Sequence, residues 1–389
     1  MTENIILEDI KAVRANLLPL TYTRPVADIR VGITTIRDKW RGLCPDAMVV
    51  AGVCEEYMLE MYPRPGFDGA DTTFHVAGHI IPDESLVSLV LALEPGQTLM
   101  CGTEVIAWRG EGGEPVMSDT VPAAVRYLYD IFTQNGDAIR CDYARMTAGR
   151  VGATLSSSNT LIGDPTQVFV EDGAWIEGCC INTQGGPVYI GRKTTVMEGS
   201  LLRGPLGVCD HATVNMGTKL YPDTTIGPWC KVGGELNNVV MLGYSNKAHD
   251  GFLGNAVIGE WCNLGAGCVA SNLKNDYTPI KLWNYAARRF MPTGLQFCGL
   301  IMGDHSKCGI NTMLNTATVL GVGVNIHGSG FPRNFVPSFS EGGAAGFYEV
   351  SMSKFFDIAR RVMGRRGCNL TAEAERMFMA IRYQADEYK

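Results

Sequence analysis

The stretch of sequence that decides the fold is residues 190–232, which read IGRKTTVMEGSLLRGPLGVCDHATVNMGTKLYPDTTIGPWCKV. Apolar residues recur in it at an unbroken interval of six, and they are Ile190, Val196, Leu202, Val208, Val214, Leu220, Ile226 and Val232. A period of six matches neither an α-helix nor a simple strand alternation, and it is typical of a parallel β-helix. The stretch therefore predicts a three-sided coil with one large interior side chain on each face.

Small residues support this prediction, because most of the apolar positions are followed four residues later by a side chain that fits a tight corner. These small residues are Thr194, Ser200, Ala212, Thr218, Thr224 and Cys230. The same register returns at Ile258 and Leu264, and again between Met302 and Ile326. We therefore predict a left-handed parallel β-helix of roughly nine coils over residues 158–330.

The rest of the chain is predicted to form two further regions. Residues 1–140 alternate short apolar runs with helical patterns, which favours an α/β domain. Its predicted strands cover residues 4–7, 48–53, 72–76 and 99–108, and its predicted helices cover residues 33–43, 85–93 and 121–134. Residues 141–157 are predicted to be a connector. Residues 331–389 are predicted to be a C-terminal helical segment, with helices at 354–363 and 372–388, that covers the open end of the coil or makes trimer contacts.

The composition restricts the class of protein. The formal net charge is -7, so neither nucleic acid nor an anionic membrane is expected as a partner. The longest apolar stretch, residues 86–93, is too short to span a bilayer, and residues 1–9 lack the pattern of a signal peptide. The 13 cysteines include no C-x-x-C pair, which indicates reduced thiols in the core. We therefore expect a cytoplasmic protein.

The six-residue repeat fails between Val232 and Ile258, and this stretch is rich in polar residues. They include Glu235, Asn237, Lys247, His249 and Asp250. An insertion in a solenoid is usually looped out, and such loops gather on a functional face. We therefore predict a looped-out segment that carries functional side chains. A single histidine on a β-helix is more often a plain surface residue, but His249 has several polar neighbours.

This stretch resembles the acetyltransferase signature of the bifunctional N-acetylglucosamine-1-phosphate uridyltransferase and glucosamine-1-phosphate acetyltransferase family. The matching residues are Lys247-Ala248-His249, Leu253-Gly254-Asn255, Ile258-Gly259, Asn263-Leu264-Gly265-Ala266-Gly267 and Asn272. The chain looks closest to a variant branch in which a shorter nucleotidyltransferase-like half precedes the coil. The resemblance implies glucosamine-1-phosphate and acetyl-CoA as substrates, UDP-N-acetylglucosamine as the end product of the family, and a homotrimer.

The resemblance also implies roles for individual residues. His249 matches the general base, since an imidazole can accept a proton from a sugar amine as the amine attacks a thioester. The backbone N–H of Ala266, which precedes Gly267, matches the group that contacts the thioester oxygen of the cofactor. Asn263 matches a residue that holds the acceptor and the acetyl group. Asn272 is the last residue of the signature, and we assign it to substrate binding.

The sugar phosphate would be held differently in this chain. Phe252 stands where the family has a tyrosine that touches the phosphate, and Tyr221 stands at the position of an upstream arginine. We therefore consider Lys219, Lys247 and Lys274 as phosphate ligands. The alternative interpretation is that these lysines are solvated corner residues.

The N-terminal half shows a second resemblance, in residues 17–32, which read LLPLTYTRPVADIRVG. This segment is similar to the Leu-x-Pro-Leu-Thr stretch of sugar nucleotidyltransferases. The resemblance implies UTP as a substrate and Mg²⁺ as a cofactor, with nucleotide binding by Leu18, Thr21, Arg24 and Arg30. The family's preceding Gly-rich turn is absent, and Asn16 stands at its arginine position. Nucleotidyl transfer would therefore depend on substitute cations.

The candidates for those substitutes come from the same half. Arg14, Arg24 and Arg30 are the candidate cations, because arginine binds phosphate with two parallel hydrogen bonds. The candidate magnesium ligands are Asp28, Glu104 and Asp142, and nothing in the sequence selects one of them. A degenerate domain without catalytic activity is the alternative interpretation. Residues 360–366 contain four arginines near the end of a predicted helix, where they either complement the helix dipole or hold the phosphates of coenzyme A.

Three functions remain open from the sequence. The first is an N-acetyltransferase of a sugar 1-phosphate, joined to an active or a degenerate nucleotidyltransferase-like half. The second is a metal-dependent hydratase on a β-helix, which requires three converging histidines, whereas His211, His249, His305 and His327 are well separated along the chain. The third is a non-catalytic scaffold, which would have no use for the Lys-Ala-His signature. The sequence favours the first.

Overall fold

The computed structural model describes residues 3–64, 66–67 and 72–388. An N-terminal α/β domain packs along one face of a parallel β-helix, and two C-terminal helices pack where these regions meet. No helix among the described residues is both long enough and apolar enough to cross a membrane. The predicted order of an α/β domain, a β-helix and terminal helices is confirmed.

The N-terminal domain is built on a six-stranded sheet. Its strands are β1 (Asn4–Glu8), β2 (Met48–Gly52), β3 (Thr73–Ala77), β4 (Gln97–Cys101), β5 (Glu104–Arg109) and β6 (Glu114–Met117), in the order β2-β1-β3-β5-β4-β6. Its helices are α1 (Lys11–Asn16), α2 (Ile36–Leu43), α3 (Glu84–Leu91), α4 (Asp130–Thr133) and α5 (Asn135–Thr147). Strand β1 is parallel to β2 and β3, whereas β5 is antiparallel to β3 and β4. Helices α2 and α3 are capped by Thr35 and Asp83, whose side chains accept backbone N–H groups.

Two predictions in this domain are wrong. The predicted strand 99–108 is the hairpin of β4 and β5, because Gly102 adopts a φ of +58° and permits a tight turn. The predicted helix 121–134 begins only at Asp130. Residues before it pair with the end of β3 instead, since Ile81 N–H donates to the carbonyl of Ala123. Helix α5 then continues to Thr147, through the first part of the predicted connector.

The β-helix has three faces of short parallel strands. Face 1 contains Thr160–Ile162, Cys180–Asn182, Leu201–Arg203, Lys219–Leu220, the first parts of Glu235–Gly243 and Phe252–Glu260, then Val269–Ala270 and Met313–Leu314. Face 2 contains Val168–Val170, Val188–Ile190, Leu206–Val208, Thr224–Ile226, the second parts of the same two long strands, then Ile301–Met302, Val319–Leu320 and Phe335–Val336. Face 3 contains Trp175–Ile176, Thr195–Val196, Thr213–Val214, Lys231–Val232, Asn246–Lys247, Asn263–Leu264, Lys307–Cys308, Asn325–Ile326 and Ser340–Gly343.

The coil follows the predicted register. All eight apolar residues of the six-residue repeat are buried in one continuous core, and the small residues at the corners are buried with them. The 13 cysteines are unpaired, and Cys230, Cys262, Cys268 and Cys308 lie inside the coil as predicted. The coil extends beyond residue 330 by one turn, and the antiparallel strand Gly346–Glu349 closes its last edge.

The predicted looped-out segment between Val232 and Ile258 does not exist. The chain stays in the coil there, because Lys247 pairs in register with Val232 and Leu253 pairs with Leu236. The six-residue repeat fails because some intervals between successive interior residues are shorter than six. Two strands of 9 residues each run across faces 1 and 2. The true insertion is residues 271–298, which leave the coil and form the hairpin Lys281–Asn284 with Arg289–Pro292.

Aromatic rings stack along the corner between faces 2 and 3. We call this row the aromatic ladder, and it contains His211, Trp229, Tyr244, Trp261 and His305. Neighbouring ring centroids are 4.2 to 6.4 Å apart. Each residue has a positive φ, between 55° and 61°, which costs roughly 1–2 kcal/mol for a residue with a Cβ. Ring stacking of roughly 0.5–1.5 kcal/mol per pair offsets part of that cost.

The N-terminal domain covers face 2. Asn135 Nδ2 donates to Thr225 Oγ1 at 3.0 Å, and Thr225 Oγ1 donates to the carbonyl of Gly32 at 3.0 Å. Ile33 packs so closely on Gly207 that an added Cβ would lie 3.0 Å from its Cγ1 atom. The apolar side chains that point outward from face 2 therefore belong to the core of the N-terminal domain.

The C-terminal segment forms α6 (Met352–Gly364) and α7 (Ala372–Ala385). Thr371 caps α7 by accepting from Ala374 N–H at 3.2 Å, as its place before the helix suggests. Phe355 and Phe378 contact the ring of His305 edge-on, so the helices cover the buried end of the aromatic ladder.

Candidate functional site

The corner between faces 3 and 1 brings together two residues of the acetyltransferase signature. His249 lies on one coil and Ala266 on the next, since Asn246 pairs with Asn263 and Gly267 N–H donates to the carbonyl of Asp250 at 3.0 Å. Adjacent coils are about 4.8 Å apart, so both residues are within reach of one small ligand.

Both groups are free to act on a ligand. The side chain of His249 is exposed and makes no hydrogen bond with any described residue. The N–H of Ala266 has no acceptor in the described part of the chain, although its carbonyl accepts from Asn311 N–H at 2.7 Å. The corner therefore presents an unpartnered imidazole beside an unpartnered backbone donor.

Lys247 lies inside the coil rather than on its surface. It is fully buried and occupies the interior position between Val232 and Leu264 of face 3. Its ammonium group donates to the carbonyl oxygens of His249 and Gly233. Burial lowers the pKa of Lys247, and the negative groups nearest to it raise the pKa only in part. The prediction that Lys247 holds a phosphate is wrong, because a ligand on the surface cannot reach its side chain.

Asn263 is exposed on face 3, in register between Asn246 and Lys307. The guanidinium of Arg366 donates to Asn246 Oδ1 at 3.2 Å, one coil away from Asn263. The structure therefore places the end of the arginine run 360–366 next to the face that carries Asn263. The sequence did not single out Arg366 within that run, because no local pattern shows which arginine bends towards the coil.

Phe252 and Asn272 lie on face 1, over Gly254. An added Cβ at Gly254 would lie 2.6 Å from Asn272 Nδ2 and 2.7 Å from Phe252 Cζ. Asn272 Nδ2 also donates to Asn255 Oδ1 at 2.8 Å. A larger residue at position 254 would therefore have to displace these two side chains.

The other predicted phosphate ligands differ in their placement. Lys219 is exposed on face 1 and is two coils from Phe252, through Glu235, which is about 10 Å. Tyr221 is exposed on the same face, beside Lys219. Lys274 Nζ lies 3.3 Å from Thr278 Oγ1, within the insertion. The structure thus places Lys219 and Tyr221 on face 1 and holds Lys274 within the insertion.

Arg24 of the N-terminal half is committed to a contact with the β-helix. Its guanidinium is buried and lies 2.6 Å from Asp304 Oδ2 and 3.4 Å from Glu260 Oε2. Burial opposes its charge, but the two carboxylates raise the pKa of Arg24 above its usual value. Burial raises the pKa of Glu260. The predicted role of Arg24 in nucleotide binding has no support in these contacts, because the side chain joins the two halves of the protein.

The remaining residues of the nucleotidyltransferase-like stretch are also occupied. Leu18 and Thr21 are buried, and Thr21 Oγ1 donates to the carbonyl of Arg14 at 2.8 Å. Arg14 in turn donates to the carbonyl of Thr21 at 2.7 Å. Arg30 Nε donates to the carbonyl of Leu242 in the β-helix at 3.2 Å. Three predicted phosphate ligands are therefore part of the protein core or of the interface between its halves.

The candidate magnesium ligands do not form a metal site. Asp28 pairs with Arg37, Glu104 pairs with Arg126, and Asp142 pairs with Lys39, so each carboxylate already has a cationic partner. Burial tends to raise the pKa of Asp142, but Lys39 and the neighbouring donors hold it below its usual value. Within residues 3–64, 66–67 and 72–388, no group of three histidine, cysteine or carboxylate side chains converges on one point. The three candidate carboxylates are therefore not gathered as ligands of one Mg²⁺ ion.

The insertion hairpin is a feature that the sequence analysis missed. Asn284 Nδ2 donates to Asn16 Oδ1 at 3.0 Å, and the ring of Tyr285 contacts Tyr22 edge-on. The hairpin therefore covers part of the segment that resembles a nucleotide-binding stretch. The signal was the interval between Ala270 and Met302 in the interior register, which is far longer than one repeat.

The fold and the site define a class of protein. A hexapeptide-repeat β-helix of the acyltransferase type is joined to a domain of the nucleotidyltransferase type. The family described as sugar nucleotidyl transferase matches residues 5–151. This match covers the N-terminal domain and the short link to the coil.

Three curated relatives are similar to parts of the chain. The chain is 29% identical over 143 residues to the bifunctional protein GlmU of Trichodesmium erythraeum, which is 36% of this chain and 25% of the relative. It is 24% identical over 235 residues to the GlmU of Gloeobacter violaceus, which is 54% of this chain and 47% of the relative. It is 26% identical over 144 residues to the bifunctional sugar-1-phosphate nucleotidylyltransferase/acetyltransferase of Sulfurisphaera tokodaii, which is 36% of this chain and 35% of the relative.

The chain therefore spans about a quarter to a half of the length of these curated relatives. The resemblance predicted from the sequence is confirmed, at low identity. The last of these relatives is by name both a sugar-1-phosphate nucleotidylyltransferase and an acetyltransferase.

Proposed function

We propose that the β-helix transfers an acetyl group from acetyl-CoA to the amine of a sugar 1-phosphate, with glucosamine-1-phosphate as the substrate that the resemblance implies. The observation that carries this proposal is the unpartnered imidazole of His249 beside the unpartnered N–H of Ala266. His249 takes the proton of the sugar amine, whose nitrogen attacks the thioester carbonyl. Ala266 N–H stabilises the oxyanion, a contact worth about 3 kcal/mol. The C–S bond then breaks, and the thiolate of coenzyme A leaves and takes up a proton.

The surroundings of the corner supply the binding groups in this proposal. Asn263 holds the acceptor and the acetyl group on the face 3 side, with Gly267 allowing close approach of the cofactor. Phe252 and Asn272 contact the sugar ring, and Lys219 is the exposed cation on face 1 for its phosphate. Lys274, tied within the insertion, is the weaker candidate.

Coenzyme A carries phosphates of its own, and these need a second cation. In our proposal Arg366 and the arginines near it supply that charge, because Arg366 already contacts face 3 one coil from Asn263. The phosphate end of the cofactor would then lie on the side of the corner opposite to the sugar.

We further propose that the chain forms a homotrimer with this corner at its interface. Large exposed apolar side chains lie on face 1 and on its corner with face 3, and they include Leu201 (50% exposed), Met216 (70%) and Ile310 (73%). Contacts between subunits would bury these apolar side chains. Three identical prisms can close around a threefold axis through such contacts. Light scattering should give a mass near three times 42.2 kDa, and a monomer at all concentrations would contradict the proposed interface.

Nucleotidyl transfer by the N-terminal half is a second candidate function, with UTP and Mg²⁺ as the family implies. The match of residues 5–151 to sugar nucleotidyl transferases favours it. The contacts of Arg24, Thr21 and Arg30 do not, so the alternative of a degenerate N-terminal domain stays open to test. No catalytic step is assigned to a metal ion, because Asp28, Glu104 and Asp142 are each paired with a cation.

One experiment tests both candidates. The full chain is incubated with glucosamine-1-phosphate, acetyl-CoA, UTP and Mg²⁺, and the products are identified after each component is left out in turn. Free coenzyme A that depends on the amino sugar supports acetyl transfer, and pyrophosphate that depends on UTP supports nucleotidyl transfer. Absence of acetylated sugar would overturn the main proposal. We also propose a cytoplasmic location, because both substrates are cytoplasmic metabolites of the kind that the relatives' names imply.

A further inference from the structure

The backbone of the corner that carries His249 is held at three successive carbonyl groups. The carbonyl of Ala248 accepts from Asn215 Nδ2 at 2.7 Å. The carbonyl of His249 accepts from the ammonium group of Lys247. The carbonyl of Asp250 accepts from a backbone N–H of the following coil at 3.0 Å. One of these three donors, the amide of Asn215, is a side chain from an earlier coil.

Asn215 lies two coils before Ala248. The strands of face 3 that precede Asn215, Gly233 and Ala248 are consecutive in the sheet, so the three residues stack in one column. Two coils span about 10 Å. An added Cβ at Gly233 would lie 2.4 Å from the carbonyl oxygen of Ala248. The absence of a Cβ at Gly233 therefore leaves this oxygen accessible to the amide of Asn215.

The backbone of Asn215 is itself fixed. Its N–H donates to the carbonyl of Val232 at 2.9 Å, and its carbonyl accepts from Ser200 Oγ at 3.1 Å. The residues at the same position of the neighbouring coils have no polar side chain, and they are Met197, Gly233, Ala248 and Gly265. Within this column Asn215 alone can donate a hydrogen bond from its side chain, and the acceptor is the peptide group next to His249.

We propose that Asn215 is a positioning residue for acetyl transfer, which acts through His249 and touches neither substrate. The inference rests on the proposed function, and it adds a residue that lies outside the signature 247–272. The carbonyl of Ala248 shares one peptide plane with the nitrogen and Cα of His249, so a bond to that carbonyl restricts the direction of the imidazole. A general base must lie within hydrogen-bond reach of the proton that it removes.

The first test is steady-state acetyl transfer from acetyl-CoA to glucosamine-1-phosphate by the full chain. Asn215→Ala should lower kcat by about tenfold, because the general base is held less firmly, and should leave both KM values within about twofold. Asn215→Asp keeps the shape of the side chain but cannot donate to the carbonyl, so it should lower kcat at least as much. Unchanged kcat in both variants, or a rise in KM alone, would overturn the proposal.

The matched control is Asn334→Ala. Asn334 Nδ2 also donates to a carbonyl of the coil at 2.7 Å, that of Thr316, but at the corner between faces 1 and 2. Both asparagines are half-buried, so each substitution removes the same kind of bond. Asn334→Ala should leave kcat unchanged, and an equal fall in the two variants would show a general effect of coil stability and overturn the proposal. Thermal melting and light scattering compare the folding and the mass of each variant with those of the wild type.

The second test is the double variant Asn215→Ala with His249→Ala. If Asn215 acts through His249, its loss has no further effect once the imidazole is gone, and kcat should equal that of His249→Ala within about twofold. A further tenfold fall would show that Asn215 acts independently of the general base. That result would overturn the proposal.

Hydrogen exchange measured by mass spectrometry separates this inference from the proposed function, because it requires no substrate. Gly233 N–H donates to the carbonyl of Lys247 at 2.7 Å, and Gly267 N–H donates to that of Asp250. Peptides that contain these two N–H groups should exchange faster in Asn215→Ala than in the wild type or in Asn334→Ala. If the wild type acetylates no sugar, the proposed function fails, whereas faster exchange still shows that Asn215 holds the corner. Unchanged exchange would overturn the inference itself.

Discussion

The corner of His249 and the segment 17–30 both match functional stretches of the same relatives, yet their polar groups are in opposite states. At the corner, an imidazole and a backbone N–H have no partner in the described structure. In the segment, Arg24 pairs with Asp304, and Thr21 is buried against Arg14. A polar group that already has a full set of protein partners cannot also hold a substrate without breaking them. In our proposal the free groups form the acetyl-transfer site, whereas the paired groups of Arg24 and Arg30 join the two halves of the chain.

The largest effect is expected from His249→Ala. Loss of the general base should lower kcat for acetyl transfer by about 10²–10⁴. The melting temperature should not change, because the side chain is exposed and makes no hydrogen bond with another described residue. The matched control is His327→Gln, which changes an exposed histidine on a later coil and should leave kcat unchanged. If the activity of His249→Ala stays within a few fold of the wild type, His249 is not the general base. The unpartnered groups of the corner would then be no better a sign of a catalytic site than the paired groups of segment 17–30.

Arg24→Ala tests the paired side of the comparison. It leaves the carboxylates of Asp304 and Glu260 without their cation at a buried interface, so the free energy of unfolding should fall by about 3–5 kcal/mol. Urea unfolding measures this change. Arg376→Ala is the control, since its pair with Glu60 also joins two regions but is exposed, and its loss should be below about 1 kcal/mol. If Arg24→Ala is as stable as the wild type and loses only UTP-dependent activity, Arg24 is a nucleotide ligand after all.

Lys247→Met separates activity from stability at the His249 corner. Methionine has a similar length and no charge, so the interior of the coil should tolerate it, with unfolding free energy unchanged or higher by about 1–4 kcal/mol. The carbonyl of His249 loses its bond to the ammonium, and the corner is held less firmly. We expect kcat to fall by about tenfold. Full activity would show that the ammonium does not position the general base.

The smallest effect concerns Asp9, next to the segment 17–30. Burial raises its pKa to about 7, while its ordinary value applies in the unfolded chain. Between about pH 4 and 7 the folded state therefore binds more protons than the unfolded state, and stability falls as the pH rises. Asp9→Asn lacks this titration. Its stability relative to the wild type should increase by about 1–3 kcal/mol between pH 5 and pH 8 in urea unfolding. If the stability of Asp9→Asn and that of the wild type depend equally on pH, water reaches Asp9 and burial does not raise its pKa.

The β-helix could be predicted from the sequence because every interior position requires the same kind of residue, an apolar side chain. Val196, Val214 and Val232 stack in one column, so a single period describes them all. The period did not describe the coils that hold Lys247, where corners lose one or two residues. A lysine in an interior column also cannot be recognised from its own identity, because lysine is almost always exposed in proteins.

The contacts between the halves could not be predicted from local patterns. Arg24 and Asp304 are 280 residues apart in the chain, and no local pattern near either residue indicates that the two pair. Residues 121–129 carry a helical pattern, but pairing with the end of β3 prevents the helix there. The motif around His249 was recognisable because its residues are contiguous, whereas the joint is made of residues from three regions.

The aromatic ladder gives the molecule an optical signature that distinguishes its parts. Trp229 and Trp261 both stack on Tyr244, so their absorption and fluorescence are coupled to the winding of the middle coils. Trp40 lies in the core of the N-terminal domain, away from this stack. Near-ultraviolet circular dichroism would therefore lose the ladder signal when the coil unwinds. This change can be followed without any label added to the protein.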